Sequence, residues 1–113
     1  MDFIRTLQKN ILFFDGAMGT VLQNLGLELG QLPESWNLSH PDIITGVHKS
    51  YIEAGSNIIK TNTFGANSLK YPDNLADIVT SAVANAKRAL EVADRKAENC
   101  YIALDVGPLG KLL

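Results

Sequence analysis

The chain has 113 residues and a formal net charge of −2 with no basic run, which argues against nucleic acid or an anionic membrane as a partner. Hydrophobic residues make up 46% and charged residues 19%, the balance of one ordinary globular domain or part of a larger one, and no apolar stretch approaches the roughly 20 residues of a membrane span. The single Cys100 excludes an internal disulfide and a multi-cysteine metal site within the chain, and it fits a reducing, cytoplasmic setting.

The chain reads as strands alternating with helices after a short leading helix. ILFFD (11–15) is an apolar run closed by glycine, the pattern of a strand buried on both faces. From Ala17 to Leu25 the apolar residues Met18, Val21, Leu22 and Leu25 keep helical spacing, and Gly26 suits the C-terminal cap. Residues 27–38 carry Gly30 and Pro33 and read as a loop, in which Trp36 fits either packing or ligand stacking. Ser39-His40-Pro41-Asp42 offers a capping hydroxyl, an early proline and a first-turn acid. The helix that follows sets Ile44, Val47, Tyr51 and Ile52 on one stripe and stops at Gly55. NIIKTN (57–62) is the second strand, and a long helix runs from about Leu75 to Ala97 with Lys87–Glu91 and Glu91–Arg95 as outward pairs. YIALDVG (101–107) is the third strand. His40 and His48 fall on helices without a third metal-ligating neighbour, so structural roles suit them.

This order predicts an α/β fold with right-handed crossovers and a parallel sheet. Strand ends fall near positions 15, 61 and 105, separations of 46 and 44 residues, which implies repeated βα units. Ligands of such sheets bind at the carboxyl ends of the strands. Asp15, Thr61-Asn62-Thr63 and Asp105 all sit there. Each also has a plainer reading: a helix cap or turn carboxylate for Asp15, a turn hydrogen bond for Asn62 and Thr63, an internal rim bond for Asp105. A closed (β/α)₈ barrel needs about 250 residues. An open three-stranded parallel sheet would leave its edges bare, so the chain is expected to be a fragment or to bury that surface against another copy of itself.

DGAMGT (15–20), HPDIITGVHKSYIEAGSNIIKTNTFGAN (40–67) and ALDVGPLG (103–110) together resemble the homocysteine S-methyltransferase family. Within it they are most similar to the N-terminal homocysteine-binding domain of bacterial cobalamin-dependent methionine synthases. The resemblance implies a TIM barrel, with residues 1–113 as its N-terminal part, and transfer of a methyl group to the thiol of homocysteine to give methionine. It implies zinc to activate that thiol, held by three cysteines that would lie outside this chain, and cobalamin on another domain as methyl carrier. Asp15 matches the family's amino-group-binding acid. Gly16 and Ala17 would lie along the substrate, Thr61, Asn62, Thr63 and Phe64 would line its pocket, and Asp105 would stand at the third strand end. The isolated chain is expected to be inactive for want of the zinc ligands. Two departures stand out: Lys60 within the strand NIIKTN, where an uncharged or acidic residue is more natural, and a loop from Leu69 to Asn74 that is short for the family. A homocysteine methyltransferase with another methyl donor and a non-catalytic, self-associating scaffold are the competing readings.

Overall fold

The computed structural model describes residues 3–5, 12–93 and 100–108. Phe3–Arg5 are helical. The elements that follow are α1 (Gly19–Asn24), a 3₁₀ turn (Pro33–Ser35), α2 (Trp36–Ser39), α3 (Pro41–Glu53), β1 (Ile58–Lys60), α4 (Leu75–Val92) and β2 (Tyr101–Ala103). β1 and β2 pair in parallel with Ile58 opposite Tyr101 and Lys60 opposite Ala103. Phe14 adds a parallel bridge to Ile58 on the other side of β1. The Asn57 and Ile58 amides both donate to Phe13 O, at 2.7 and 3.1 Å, and Asp15 N donates to Ile58 O at 2.9 Å. Three chain segments thus run parallel, and their carboxyl ends meet at one rim.

The first segment departs from expectation. It forms one bridge rather than a regular strand, and Phe13 and Phe14 are 62% and 61% exposed. A strand is buried only when elements cover both its faces. Among the described residues, pairing reaches this segment from the β1 side alone. Ile11 lies outside the described residues, as do 94–99 and 109–113; α4 ends at Val92 with Ala93 already extended, short of the expected Ala97.

Both helix stops fall at the expected glycines. Gly26 and Gly55 have φ of +117° and +113°, the left-handed region that a side chain disfavours. At the first, Leu27 N donates to Leu22 O and Gly26 N to Gln23 O. At the second, Ser56 N donates to Tyr51 O and Gly55 N to Ile52 O. Each pair satisfies carbonyls that the helix end would leave without partners. The start of α3 differs from expectation. Pro41 and Asp42 occupy the first turn, but the capping position belongs to His40 and no side chain caps the helix. Ser39 Oγ instead bonds back to Ser35 O and to His40 Nδ1, because residues 33–39, expected as loop and cap, are already helical.

Two apolar clusters hold the layers together. Leu22, Leu27, Trp36, Ile44 and Val47 join α1 to α3, with Met18 and Tyr51 at the margin. Trp36 is therefore a packing residue, stacked on the His40 ring at 4.3 Å. Ile52, Ile59, Ala86 and Ala89 join α3 and α4 to the sheet, with Cys100 and Ile102 against them. The inner face of α4 is Ile78, Ala82, Asn85, Ala86 and Ala89. The ion pair of this helix is Arg88–Asp42 to α3, at 2.9 Å, rather than Lys87–Glu91; Arg95, the other expected partner of Glu91, lies outside the described residues. No described helix is long and apolar enough to cross a membrane.

His48 is fully buried on α3, and neither ring nitrogen has a hydrogen-bond partner among the described residues. Burial disfavours the imidazolium and lowers its pKa from 6.5 to about 4. The unfolded chain therefore binds a proton that the folded chain refuses, and stability falls as pH drops from 6.5 towards 4. The full shift corresponds to about 3 kcal/mol, of which about 2 is lost between pH 7 and pH 5. Urea midpoints measured at the two pH values should differ accordingly, and His48→Leu should remove most of that difference. An equal difference in the variant would show that other groups cause it.

Candidate functional site

The rim where the three segments end is tied by side chains as well as backbone. Thr61 and Thr63 share a hydroxyl hydrogen bond of 2.7 Å. Thr63 Oγ1 lies 2.7 Å from Asp105 O and can donate to it, and Asp105 N donates to Thr61 Oγ1 at 3.3 Å. Gly107 N donates to Phe64 O at 3.0 Å, an approach so close that a Cβ on Gly107 would collide with that oxygen. Asn62 faces a different set of partners. Its Nδ2 donates to Pro33 O at 2.9 Å and to Asn37 Oδ1 at 3.1 Å, while Asn37 Nδ2 donates to Asn62 O at 2.8 Å. These bonds carry the Pro33–Glu34 turn over the second strand end.

A cavity of about 280 Å³ opens at this rim, near the lower end of the size range of small-ligand pockets. Of the residues singled out in the sequence, Ala17, Thr61, Asn62, Thr63, Phe64 and Asp105 line it. Asp15 and Gly16 stand behind that lining. Gly16 sits against Tyr51, where a Cβ would come within 2.8 Å of the hydroxyl oxygen, and Tyr51 Oη donates to Ala17 O at 2.7 Å. The glycine is thus needed to let the DGAMGT turn rest on α3. The helix after that turn, α1, is only 6 residues long.

Asp15 is 7% exposed. Its Oδ1 accepts the Lys60 amide at 3.2 Å and lies 4.0 Å from Lys60 Nζ. Desolvation is the largest influence on its carboxyl and raises the pKa; the Lys60 amide and charge pull the other way, and Asp105 adds a smaller upward push. Burial also raises the pKa of the Tyr51 hydroxyl, with the Asp15 charge adding to it.

Two charged lining residues were not among those singled out as site residues. Lys60 lines the cavity with its side chain 37% exposed. Glu34, only 5% exposed, lines the opposite wall and accepts the Tyr71 hydroxyl at 3.1 Å. Desolvation, with the Glu34 charge next, pushes the Tyr71 pKa well up. The strand-end position of Lys60 was a usable signal, because residue 60 precedes the polar run on the same strand. Glu34 had none, since its loop has no period.

The donor set does not fit zinc. Among the described residues no group of three His, Cys, Asp or Glu side chains is placed to hold a metal ion. Cys100 is at the start of β2, where its thiol contacts Ser56 O at 3.7 Å, away from the strand ends. The rim instead offers one ammonium, several carboxylates, hydroxyls and amides, a set suited to the charged groups of a small polar ligand.

The chain is 30% identical over 122 aligned positions to the methionine synthases of Mycobacterium leprae (strain TN) and Mycobacterium tuberculosis (strain ATCC 25618 / H37Rv). That alignment covers 98% of this chain but 10% of either relative, so the chain spans about a tenth of their length. The homocysteine methyltransferase MmuM from Escherichia coli superposes in its metallated form with a TM-score of 0.83 at 26% identity, over 96% of this chain and 42% of MmuM. Its apo form superposes with a TM-score of 0.75 at 27% identity, over 99% of this chain and 43% of MmuM. The pattern of the homocysteine S-methyltransferases matches residues 12–113, and with a match of that extent the chain belongs to the homocysteine S-methyltransferase family.

Proposed function

We propose that this chain is the homocysteine-binding segment of a methyltransferase that makes methionine, and that homocysteine's amino-acid end occupies the strand-end cavity. The observation that carries the reading is the convergence, on one rim, of the residues that match the family's motifs. Homocysteine has an ammonium, a carboxylate and a thiol. Asp15 supplies a buried carboxylate for the ammonium, and a charge-assisted bond there is stronger than a neutral one. The Gly16–Ala17 backbone lies alongside, Thr61, Asn62, Thr63 and Phe64 form the wall, and Asp105 closes the third strand end.

In this reading residues 1–113 are the N-terminal part, three βα units, of a (β/α)₈ barrel. Two facts support it: the chain spans 42% of the solved methyltransferase, and Phe13, Phe14, Leu104 and Val106 are more than half exposed along the sheet. Such a row fits further strands of one barrel; it would also fit a second copy, and the length ratio favours the first. Zinc would be held by cysteines elsewhere in the protein and would activate the thiol; the methyl group would arrive on a cobalamin carried by another domain. The residues described here bind and orient the amino acid and do not activate its sulfur.

Two outcomes follow. In the protein carrying this chain, Asp15→Asn should raise the dissociation constant for homocysteine roughly ten- to hundredfold, the scale of a charge-assisted hydrogen bond of about 1.5–3 kcal/mol. Zinc content should stay unchanged. Titration calorimetry and metal analysis read the two quantities, and an unaltered homocysteine affinity would remove Asp15 from the site. The purified 113-residue chain alone should neither retain stoichiometric zinc nor methylate homocysteine. Robust turnover by it would overturn the division of labour.

A further inference from the structure

We propose that Lys60 is a specificity-determining residue: with Asp15 it forms a carboxylate–ammonium couple that recognises the zwitterion of an α-amino acid. Lys60 takes the ligand's carboxylate while Asp15 takes its ammonium. The inference rests on the reading of the cavity as a homocysteine site and adds a contact that the family motifs do not supply.

Lys60 reaches the cavity because of strand alternation. Ile59, fully buried, packs against α3 and α4, so its neighbour on β1 turns to the other face. There the Lys60 side chain is 37% exposed while that of Asp15 is 3% exposed. A ligand entering the cavity therefore meets the ammonium before the carboxylate. Lys60 is also the one cation among the residues that line the cavity; the lining carboxylates are Glu34 and Asp105. Glu34 is engaged by the Tyr71 hydroxyl. A ligand carboxylate has a single cationic partner on these walls.

The exchange of partners is cheap in one direction only. Nζ stands 4.0 Å from Asp15 Oδ1, longer than a good N–H···O hydrogen bond, and it rides on a flexible four-carbon stem. A ligand carboxylate draws Nζ outward and uncovers Asp15, and the ligand's own ammonium then replaces the one withdrawn. No charge is left alone. A buried carboxylate without a cation is costly, and Asp15 keeps one before and after binding. A ligand lacking the carboxylate has no means to draw Lys60 away, so its ammonium competes with one tethered to the same chain. A ligand lacking the ammonium draws Lys60 away and leaves Asp15 alone. Each single-charged analogue is disfavoured for its own reason.

The test is calorimetric titration of the intact protein carrying this chain, unaltered and as Lys60→Gln and Lys60→Arg. The three ligands are L-homocysteine, 4-mercaptobutanoate, which lacks the amino group, and 3-aminopropanethiol, which lacks the carboxylate. The unaltered protein should bind homocysteine more tightly than either analogue. Lys60→Gln should weaken homocysteine and 4-mercaptobutanoate about tenfold or more and leave 3-aminopropanethiol unchanged or tighter. Lys60→Arg should keep the original order. Homocysteine affinity unchanged or improved in Lys60→Gln would overturn the proposal and make Lys60 only a competitor for Asp15. A parallel loss for all three ligands would likewise overturn it, as a purely structural effect. If the unaltered protein bound none of the three, the cavity's assignment would fall and this inference with it.

Discussion

The structure depends on a buried amide network centred on Asn62. Asn62 bonds to Pro33 O and to the Asn37 side chain; Asn37 returns a bond to Asn62 O, and Asn85 Nδ2 donates to Asn37 O at 3.2 Å. Each of the three amides is buried. They come from a strand end, a four-residue helix and the long helix α4. A buried amide left without a partner costs about 1–3 kcal/mol, so the three positions hold or fail together. What they fix is the Pro33–Glu34 turn, and with it the wall of the cavity opposite Lys60. Wall and strand end are therefore one mechanical unit, although they are 29 residues apart in sequence.

The rim's charges follow the same logic of satisfaction. Asp15 is buried because the parallel pairing of Phe13 and Phe14 with β1 brings it against Lys60 N. Thr61 and Thr63 spend their hydroxyls on each other and on the Asp105 backbone, which fixes the third strand end against the second. The threonines thus hold the Asp105 backbone in place. In the proposed binding mode the charged side chains make the contact, Lys60 being the more exposed member of the couple and Asp15 the more buried.

Local patterns in the sequence had local causes, and those survived folding. The helix stops at Gly26 and Gly55, the start of α4 at Leu75 and the polar strand ends were legible because one turn of backbone determines them. The exposure of Phe13 and Phe14 was not legible because an apolar run states only a preference; burial depends on what lies over it. Ser39 looked like a cap because nothing nearby announced that residues 36–39 would already be helical. Lys60 and Glu34 escaped for a related reason. Their significance lies in partners 45 and 37 residues away, Asp15 and Tyr71, and no local spacing encodes such pairs. The family motifs marked which residues gather at the rim but not which of them face one another.

That distinction bears on how recognition and reactivity divide. The amino-acid end of a thiol substrate carries hard, permanent charges, which fixed carboxylates and an ammonium match well. Its sulfur needs a soft partner that stabilises the thiolate. The charged and hydrogen-bonding groups of the described rim are hard, and Cys100 lies at the other end of β2. In the proposed binding mode selectivity comes from charge placement: the Asp15–Lys60 couple, 4.0 Å across, opens to admit the two charges of a zwitterion. Its carboxylate is held in place by the Lys60 amide, so the couple has a defined direction before a ligand arrives. On the proposed reading, a carboxylate fixed in this way orients the zwitterion in one sense and so sets where the thiol points.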